Sequence, residues 1–266
     1  RGFAFVSQSL LQYQTLDPET QNCHVVSHEI MQSLTRKSPN LWKDILKEID
    51  PSACGGGFMH GVLEVRVGED PDFNVDKNLF DSICRNIYQG NFSIGCAHIL
   101  GHIIFVEKEG DLELSLAVCE GLEETFLFEC YGGVFMEDSF RTNFYDHGFG
   151  EEPVRNKEWF INQFARCRAH GDREPMEAGC FYDLAEVAAQ TNDYDIAKTY
   201  DICMNARSKT AKDRCLIRAS YIIATAPIPK IDAMDFSGLC QRNMPDGAIR
   251  SRCMHETISA LMTYSI

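Results

Sequence analysis

The stretch DYDIAKTYDICMNARSKTAKDRCLIRASYIIATA, residues 193–226, contains the pattern that decides the fold. Apolar residues recur at helical spacing up to Cys203, the polar run RSKTAKD follows, and the helical periodicity resumes at Cys215. The stretch therefore predicts a helix, a turn and a second helix. In a tight hairpin of this kind, two cysteines come within the ~4.4–6.8 Å between Cα atoms that a disulfide requires.

The same couple of cysteines recurs along the chain. Ten of the 12 cysteines form couples 11 to 13 residues apart: Cys84 with Cys96, Cys119 with Cys130, Cys167 with Cys180, Cys203 with Cys215, and Cys240 with Cys253. The first members follow one another at steps of 35, 48, 36 and 37 residues, which indicates a repeat of solenoid size with one insertion. We expect each couple to form a disulfide across its own hairpin. Buried free thiols in a helical array are the alternative.

Cys23 and Cys54 stand outside these couples. The segments that they open, CHVVSHEIMQSL and CGGGFMHGVLEV, match the openings of later second helices, such as CAHILGHIIFVE at Cys96. Because their own first helices carry no cysteine, we expect Cys23 to pair with Cys54 across neighbouring units. With this sixth pair, no thiol is left free.

The repeats predict an all-α fold, an α-solenoid of about seven helix-turn-helix units in a single domain, residues 1–266. First helices are expected near residues 8, 33, 74, 111, 157, 193 and 231, and second helices near 22, 54, 94, 127, 176, 212 and 248. The domain comprises a histidine-rich half, 1–142, an inserted loop, 143–156, and C-terminal repeats, 157–266. The stretch 138–156 is rich in aromatic, Gly and acidic residues, which is typical of a surface loop or lid and also of a tolerated insertion.

A period near 36 residues, two cysteines per unit and a Gly-Cys opening with a further glycine, as at Gly95, Cys96 and Gly101, resemble the cysteine-rich branch of the Sel-like repeats. Those repeats are relatives of the tetratricopeptide repeats. The resemblance implies an α-solenoid fold. Since members of that family include binding scaffolds, it implies no particular chemistry.

Composition indicates a compartment outside the reducing cytosol. Twelve cysteines without any CxxC pair favour disulfides over zinc ribbons or thioredoxin-like motifs, so we expect an extracytoplasmic protein that is secreted, periplasmic or on the cell surface. The net charge of −14, without a basic stripe, argues against nucleic acid as a partner. No apolar run approaches the ~20 residues of a membrane span. Because the sequence begins at Arg1 rather than Met, we expect a signal peptide or membrane anchor to precede it.

Five of the eight histidines lie on the first three predicted second helices. His24 and His28 are four residues apart on the first helix. His60 lies on the second, and His98 and His102 are four residues apart on the third. Residues at this spacing share a helix face, and we expect the five imidazoles to point into one pocket. The first pair is rotated by about 100° from the others in an ideal helix, so the first unit must be turned or shifted for it to join.

The alternative is that histidine simply fills the contacts between repeats. It predicts histidines at the same positions of later units, where Tyr182 and Ile217 stand and only His255 recurs. Glycines near the cluster, such as Gly61 and Gly133, indicate close approach of helix backbones, room for a ligand, or ordinary packing of small residues.

Imidazole clusters bind transition metals, and with every thiol in a disulfide we expect iron or copper, with zinc as a further candidate. Five histidines exceed the ligands of one structural zinc, so a dinuclear centre and a single metal with open positions both fit. Glu64 follows His60 on the same face and is the candidate carboxylate ligand and catalytic proton acceptor. Glu29, Glu107 and Glu137 are further carboxylates nearby in sequence.

These features predict a metal-dependent oxidoreductase that acts on a small molecule. Metal storage or delivery needs the same ligands and is the first alternative. An extracellular solenoid that grips a protein partner on its concave face is the second, and in it the histidines are packing residues. Non-covalent haem held by two of the histidines is the third.

Overall fold

A computed structural model of the chain describes residues 9, 23–50, 53–70, 72–88, 91–140, 154–169 and 173–225, and also residues 240–242, 247, 250–251, 253–255 and 258. In this part of the chain every regular element is a helix and no strand occurs, which confirms the predicted all-α class. The chain divides into two compact units, Arg1–Asp138 and Ser139–Ile266. None of the described helices is long and apolar enough to cross a membrane.

The first unit alternates longer and shorter helices. They are α1 (Cys23–Lys37), α2 (Trp42–Lys47), α3 (Gly57–Glu69), α4 (Lys77–Phe80), α5 (Asn91–Glu107), α6 (Leu112–Glu120) and α7 (Glu124–Phe140). Two 3-10 turns, Pro39–Leu41 and Ala53–Gly56, precede α2 and α3, and a π-helical turn, Asp81–Arg85, continues α4. The longer helices are the second helices of the predicted units, and their buried faces form the site described below.

The second unit repeats the pattern with α8 (Lys157–Ala169), α9 (Glu174–Thr191), α10 (Ile196–Cys203) and α11 (Lys209–Thr225). On α9, the buried Glu177 carboxylate accepts hydrogen bonds from the backbone N–H groups of Arg207 and Ser208, at 2.7 and 3.0 Å. The Tyr200 hydroxyl shares a 2.6 Å hydrogen bond with that of Ser220. The two bonds to Glu177 attach α9 to the turn before α11, and the bond between Tyr200 and Ser220 attaches α10 to α11.

Three of the shorter helices begin in the same way. Asp76, Asp111 and Asp195 precede α4, α6 and α10, and each carboxylate accepts a hydrogen bond from the backbone N–H three residues on, at 2.8 to 3.1 Å. The side chain thereby satisfies one of the N–H groups that a helix start leaves without a helical partner. In these three units an aspartate therefore marks the beginning of the first helix.

Five disulfides join the predicted couples, and each of the first four links the end of a shorter helix to the following longer one. Their Cα atoms lie 5.4 to 5.8 Å apart in the pairs Cys84–Cys96, Cys119–Cys130, Cys167–Cys180, Cys203–Cys215 and Cys240–Cys253. Cys54 is also disulfide-bonded. The side chain of Cys23, its predicted partner, lies outside the described residues. Five disulfides indicate an oxidising, extracytoplasmic environment.

Some helix bounds differ from the prediction. The helix expected to begin near residue 33 does not, because α1 continues to Lys37 and Pro39 then opens a 3-10 turn. The apolar pattern has no break before Ser38, whereas proline cannot continue the helical hydrogen bonding. The longer helices α5, α7 and α11 each begin three residues earlier than expected, because their first turns are largely polar and carry no periodic signal.

The predicted second helix near residue 54 begins at Gly57 instead. Cys54 and Gly56 have φ angles of 52° and 87°, in the left-handed region that glycine adopts readily. The backbone therefore turns before α3 starts. The inserted loop expected at 143–156 lies outside the described residues except for 154–156.

Candidate metal centre

Four helices of the first unit supply the polar side chains of the site. His28 lies on α1, His60 and Glu64 lie one turn apart on α3, and His98 and His102 lie one turn apart on α5. Residues four apart share a helix face, so α3 and α5 each present two ligand-type side chains in the same direction. Helix α7 adds carboxylates.

The first group consists of His28, His60 and Glu64. One potential ligand atom from each lies within 4.8 Å of the other two. The Nε2 atom of His28 is 2.9 Å from Oε1 of Glu64. Gln32, one turn after His28, donates a hydrogen bond of 2.9 Å to the other oxygen, Oε2 of Glu64, and its amide nitrogen lies 3.3 Å from Nδ1 of His28. The amide therefore orients the carboxylate towards the imidazole.

The second group consists of His98 and His102 with carboxylates from α7. The Nε2 atoms of the two rings are 3.1 Å apart. Nδ1 of His102 is 2.7 Å from Oε1 of Glu137, and Nδ1 of His98 is 4.0 Å from Oε2 of Glu129. Each ring thus presents Nδ1 to a carboxylate, while the two Nε2 atoms face each other.

The two groups form one continuous row of imidazoles. Ring centroids are 5.8 Å apart between His28 and His60, 4.8 Å between His60 and His102, and 4.8 Å between His102 and His98. Glu64 lies at one end of the row and Glu137 near the other. Four imidazoles from three helices therefore share one polar core.

Glycines explain how these helices come close enough. A Cβ atom on Gly61 of α3 would lie 2.3 Å from the carbonyl oxygen of His28, and one on Gly133 of α7 would lie 1.9 Å from that of His98. Any larger residue would push the backbones apart. The close approach predicted from the glycines is confirmed at both positions, and it brings His28 to His60 although the ideal-helix offset places their faces apart.

The row is buried at its centre and open at one end. His60 and His102 are 4% and 3% exposed and Glu137 is 1% exposed, whereas the side chain of His98 is 24% exposed. A charged carboxylate with so little access to water requires a charged or hydrogen-bonding partner, which for Glu137 is His102. The row is therefore reached from solvent most directly at His98.

The structure brings together most of the predicted site residues. His28, His60 and Glu64 form the first group, and His98 and His102 form the second. The side chain of His24 lies outside the described residues.

Of the further carboxylates, only Glu137 contacts an imidazole of the row. Glu29 is exposed, and Glu107 accepts a hydrogen bond from the backbone N–H of Val75 and pairs with Lys108. Gln32 and Glu129 were not predicted from the sequence as residues of the site. Gln32 is signalled only by its place one turn after His28, and Glu129 only by its place next to Cys130.

His28, His60 and Glu64 could together hold a metal ion. Two ligand atoms at about 2.1 Å from one ion, with an angle of about 90 to 110° between the bonds, lie about 3.0 to 3.4 Å apart. The 2.9 Å between His28 and Glu64 and the 3.1 Å between His98 and His102 are close to this separation. No protein-family model, curated protein or solved structure matches the chain, so the comparisons assign it to no family.

Proposed function

We propose that the protein is an extracytoplasmic metalloprotein in which His28, His60 and Glu64 bind a redox-active transition metal. The observation that carries the proposal is the convergence of these three buried ligands from two helices, within 4.8 Å of one another. Two imidazoles and one carboxylate are the donor set of non-haem iron(II) sites, so iron is the first candidate. Copper is the second and zinc the third, because imidazole suits all three.

The polar contacts around Glu64 support binding rather than simple packing. Gln32 holds one carboxylate oxygen and leaves the other directed at Nε2 of His28. Without metal, this second contact needs a proton between the two atoms, and an ion that binds there displaces it. Such outer contacts orient the ligands of a metal and raise its affinity.

The proposed activity is that of an oxidoreductase acting on a small molecule. Iron, when bound, supplies one-electron chemistry that no side chain of this cluster provides. The chain contributes the ligands, the hydrogen bond that fixes Glu64, and a buried setting that keeps bulk water from the first group. In this proposal Glu64 is a carboxylate ligand and is also the candidate catalytic base. The scaffold that holds these residues is an α-solenoid of about seven disulfide-stapled units in this proposal.

Metal analysis of the protein, purified without a histidine tag, tests the proposal. We expect stoichiometric iron or copper in the wild-type protein after reconstitution. The His28→Ala/His60→Ala variant should lose an ion, with its circular dichroism unchanged. His255→Ala is the matched control, because His255 is an exposed histidine of the second unit.

The outcomes separate the alternatives. A wild-type protein that binds none of iron, copper or zinc overturns the proposal. The remaining function is then the binding of a protein partner by the helical scaffold. Stoichiometric zinc in place of iron or copper overturns the redox assignment. Stoichiometric iron or copper without turnover of any small oxidisable substrate favours storage or delivery of metal over an oxidoreductase. A Soret band in the absorption spectrum would show that the histidines bind haem instead of a metal ion.

A further inference from the structure

We infer that His98 and His102 form a second metal position, separate from that of His28, His60 and Glu64, and that the centre therefore takes two ions. The inference rests on the proposed function of the neighbouring group and deepens it. The geometry of the two rings, the carboxylates behind them and the access of solvent to His98 point to this assignment.

The distance between the rings of His98 and His102 suits two ligands of one ion. The Nε2 atoms are 3.1 Å apart and approach each other from one face of α5. Two imidazole nitrogens bound to one ion at ~2.0–2.1 Å lie about 3 Å apart when the bonds are at right angles and slightly farther apart in a tetrahedral site. The ring positions therefore need little adjustment to bind one ion between them.

The position of the ring protons also suits a metal ion between His98 and His102. A carboxylate can only accept a hydrogen bond, so the 2.7 Å contact with Glu137 places a proton on Nδ1 of His102. In the neutral ring the lone pair is then on Nε2, which faces His98. Glu129 lies 4.0 Å from Nδ1 of His98, which is too far for a hydrogen bond. Nε2 of His102 is therefore the acceptor and Nε2 of His98 the donor of the 3.1 Å contact between the rings, and a cation that binds between them displaces this proton.

A carboxylate behind the ring is the usual outer partner of a metal-bound histidine. It fixes the tautomer and the ring orientation and makes the ligating nitrogen more basic. Glu137 does this for His102 from a position that is 1% exposed, held on a different helix from the ring that it orients. We therefore assign Glu137 as a positioning residue of the second metal position.

Solvent reaches the second position through His98. The side chain of His98 is 24% exposed, whereas those of His28, Glu64 and His102 are 10%, 8% and 4% exposed. Only two protein nitrogens define the second position, so its remaining coordination places go to water or to a small ligand. The ion at His98 is thus the one that exchanges with solvent first and meets a substrate.

Titration of metal-free protein with cobalt(II), followed by visible absorption and metal analysis, tests the assignment. Wild-type protein should take two equivalents. His98→Ala/His102→Ala should take one, and His28→Ala/His60→Ala should take the other. The single variant His98→Ala, which changes the most exposed ring, keeps the test valid if the double variant fails to fold. Glu137→Gln should weaken the second equivalent about 10–100-fold and leave the first unchanged, while the control His255→Ala should keep two.

Each failure has a distinct result. Two equivalents retained in His98→Ala/His102→Ala overturn the second position, and so does a wild type that takes one equivalent. If that single equivalent persists in His98→Ala/His102→Ala and is lost in His28→Ala/His60→Ala, the proposed function stands alone. A wild type that takes no cobalt overturns both. If the two rings share a proton instead of binding a metal, the wild type takes one equivalent, and His98→Ala/His102→Ala keeps it.

Discussion

Replacing Gly61 by alanine should destabilise the first unit by overpacking. The added Cβ would lie 2.3 Å from the carbonyl oxygen of His28 and 2.9 Å from Cβ of Met31, whereas ordinary contacts begin at 3.4 Å. Helices α1 and α3 must therefore separate by about 1 Å at this point. Extra atoms in a well-packed core typically cost about 1–3 kcal/mol. Both neighbouring groups are backbone or a short aliphatic stem and cannot rotate away.

Gly68 provides a matched control on the same helix. A Cβ there meets nothing within 4 Å, so Gly68→Ala should show only the helix preference for alanine, a stabilisation of up to about 1 kcal/mol. Gly61→Ala gains the same preference. The difference between the two variants in the free energy of unfolding therefore isolates the clash, and we expect about 1–3 kcal/mol.

The two variants are compared by guanidinium and thermal unfolding with the disulfides intact. For a chain of this size, each kcal/mol moves the melting temperature by about 2–4 °C. Gly61→Ala should also weaken metal binding, because His28 moves away from Glu64 with α1, whereas Gly68→Ala should not. Equal stability of the two variants would refute the argument that glycine is required for the helix contact.

Two further predictions concern the second unit. Burial raises the pKa of Tyr200 to about 12, above the value of about 10 in the unfolded chain, so the stability that it contributes is complete below pH 10 and is lost as the pH rises towards 12; the melting temperature should fall over that range, and by less in Tyr200→Phe. Cys203→Ser/Cys215→Ser opens a loop of 12 residues and should cost about 2–4 kcal/mol in urea unfolding, and an unchanged unfolding midpoint would contradict the stabilising role of the staple.

The cysteine pattern predicts the hairpins well because a disulfide has a narrow geometric range. A link between the end of one helix and the second turn of the next fixes the number of residues in between, and this number is visible in the sequence at Cys203 and Cys215. The helix starts are less visible. Polar first turns, such as the one at Lys209, carry no apolar period, and α1 continues past residue 33 because nothing in its sequence interrupts it before Pro39.

The site was predictable as a set of residues but not as a geometry. Spacing along one helix places His98 beside His102, and this needs no knowledge of the fold. The contact of His28 with Glu64 depends on how closely α1 packs against Gly61. The contact of His102 with Glu137 joins residues 35 apart in sequence and depends on the register of α5 against α7. Register between helices is set by packing in three dimensions and leaves no local trace.

The five disulfides of the predicted couples join segments that are neighbours along the chain, and this has a consequence for resistance to proteolysis. A cut between the two cysteines of any of these pairs, which lie 11 to 13 residues apart, leaves the two pieces covalently joined. The nicked protein keeps its mass until a reductant is added. The same cut in a helical array without disulfides would release a fragment.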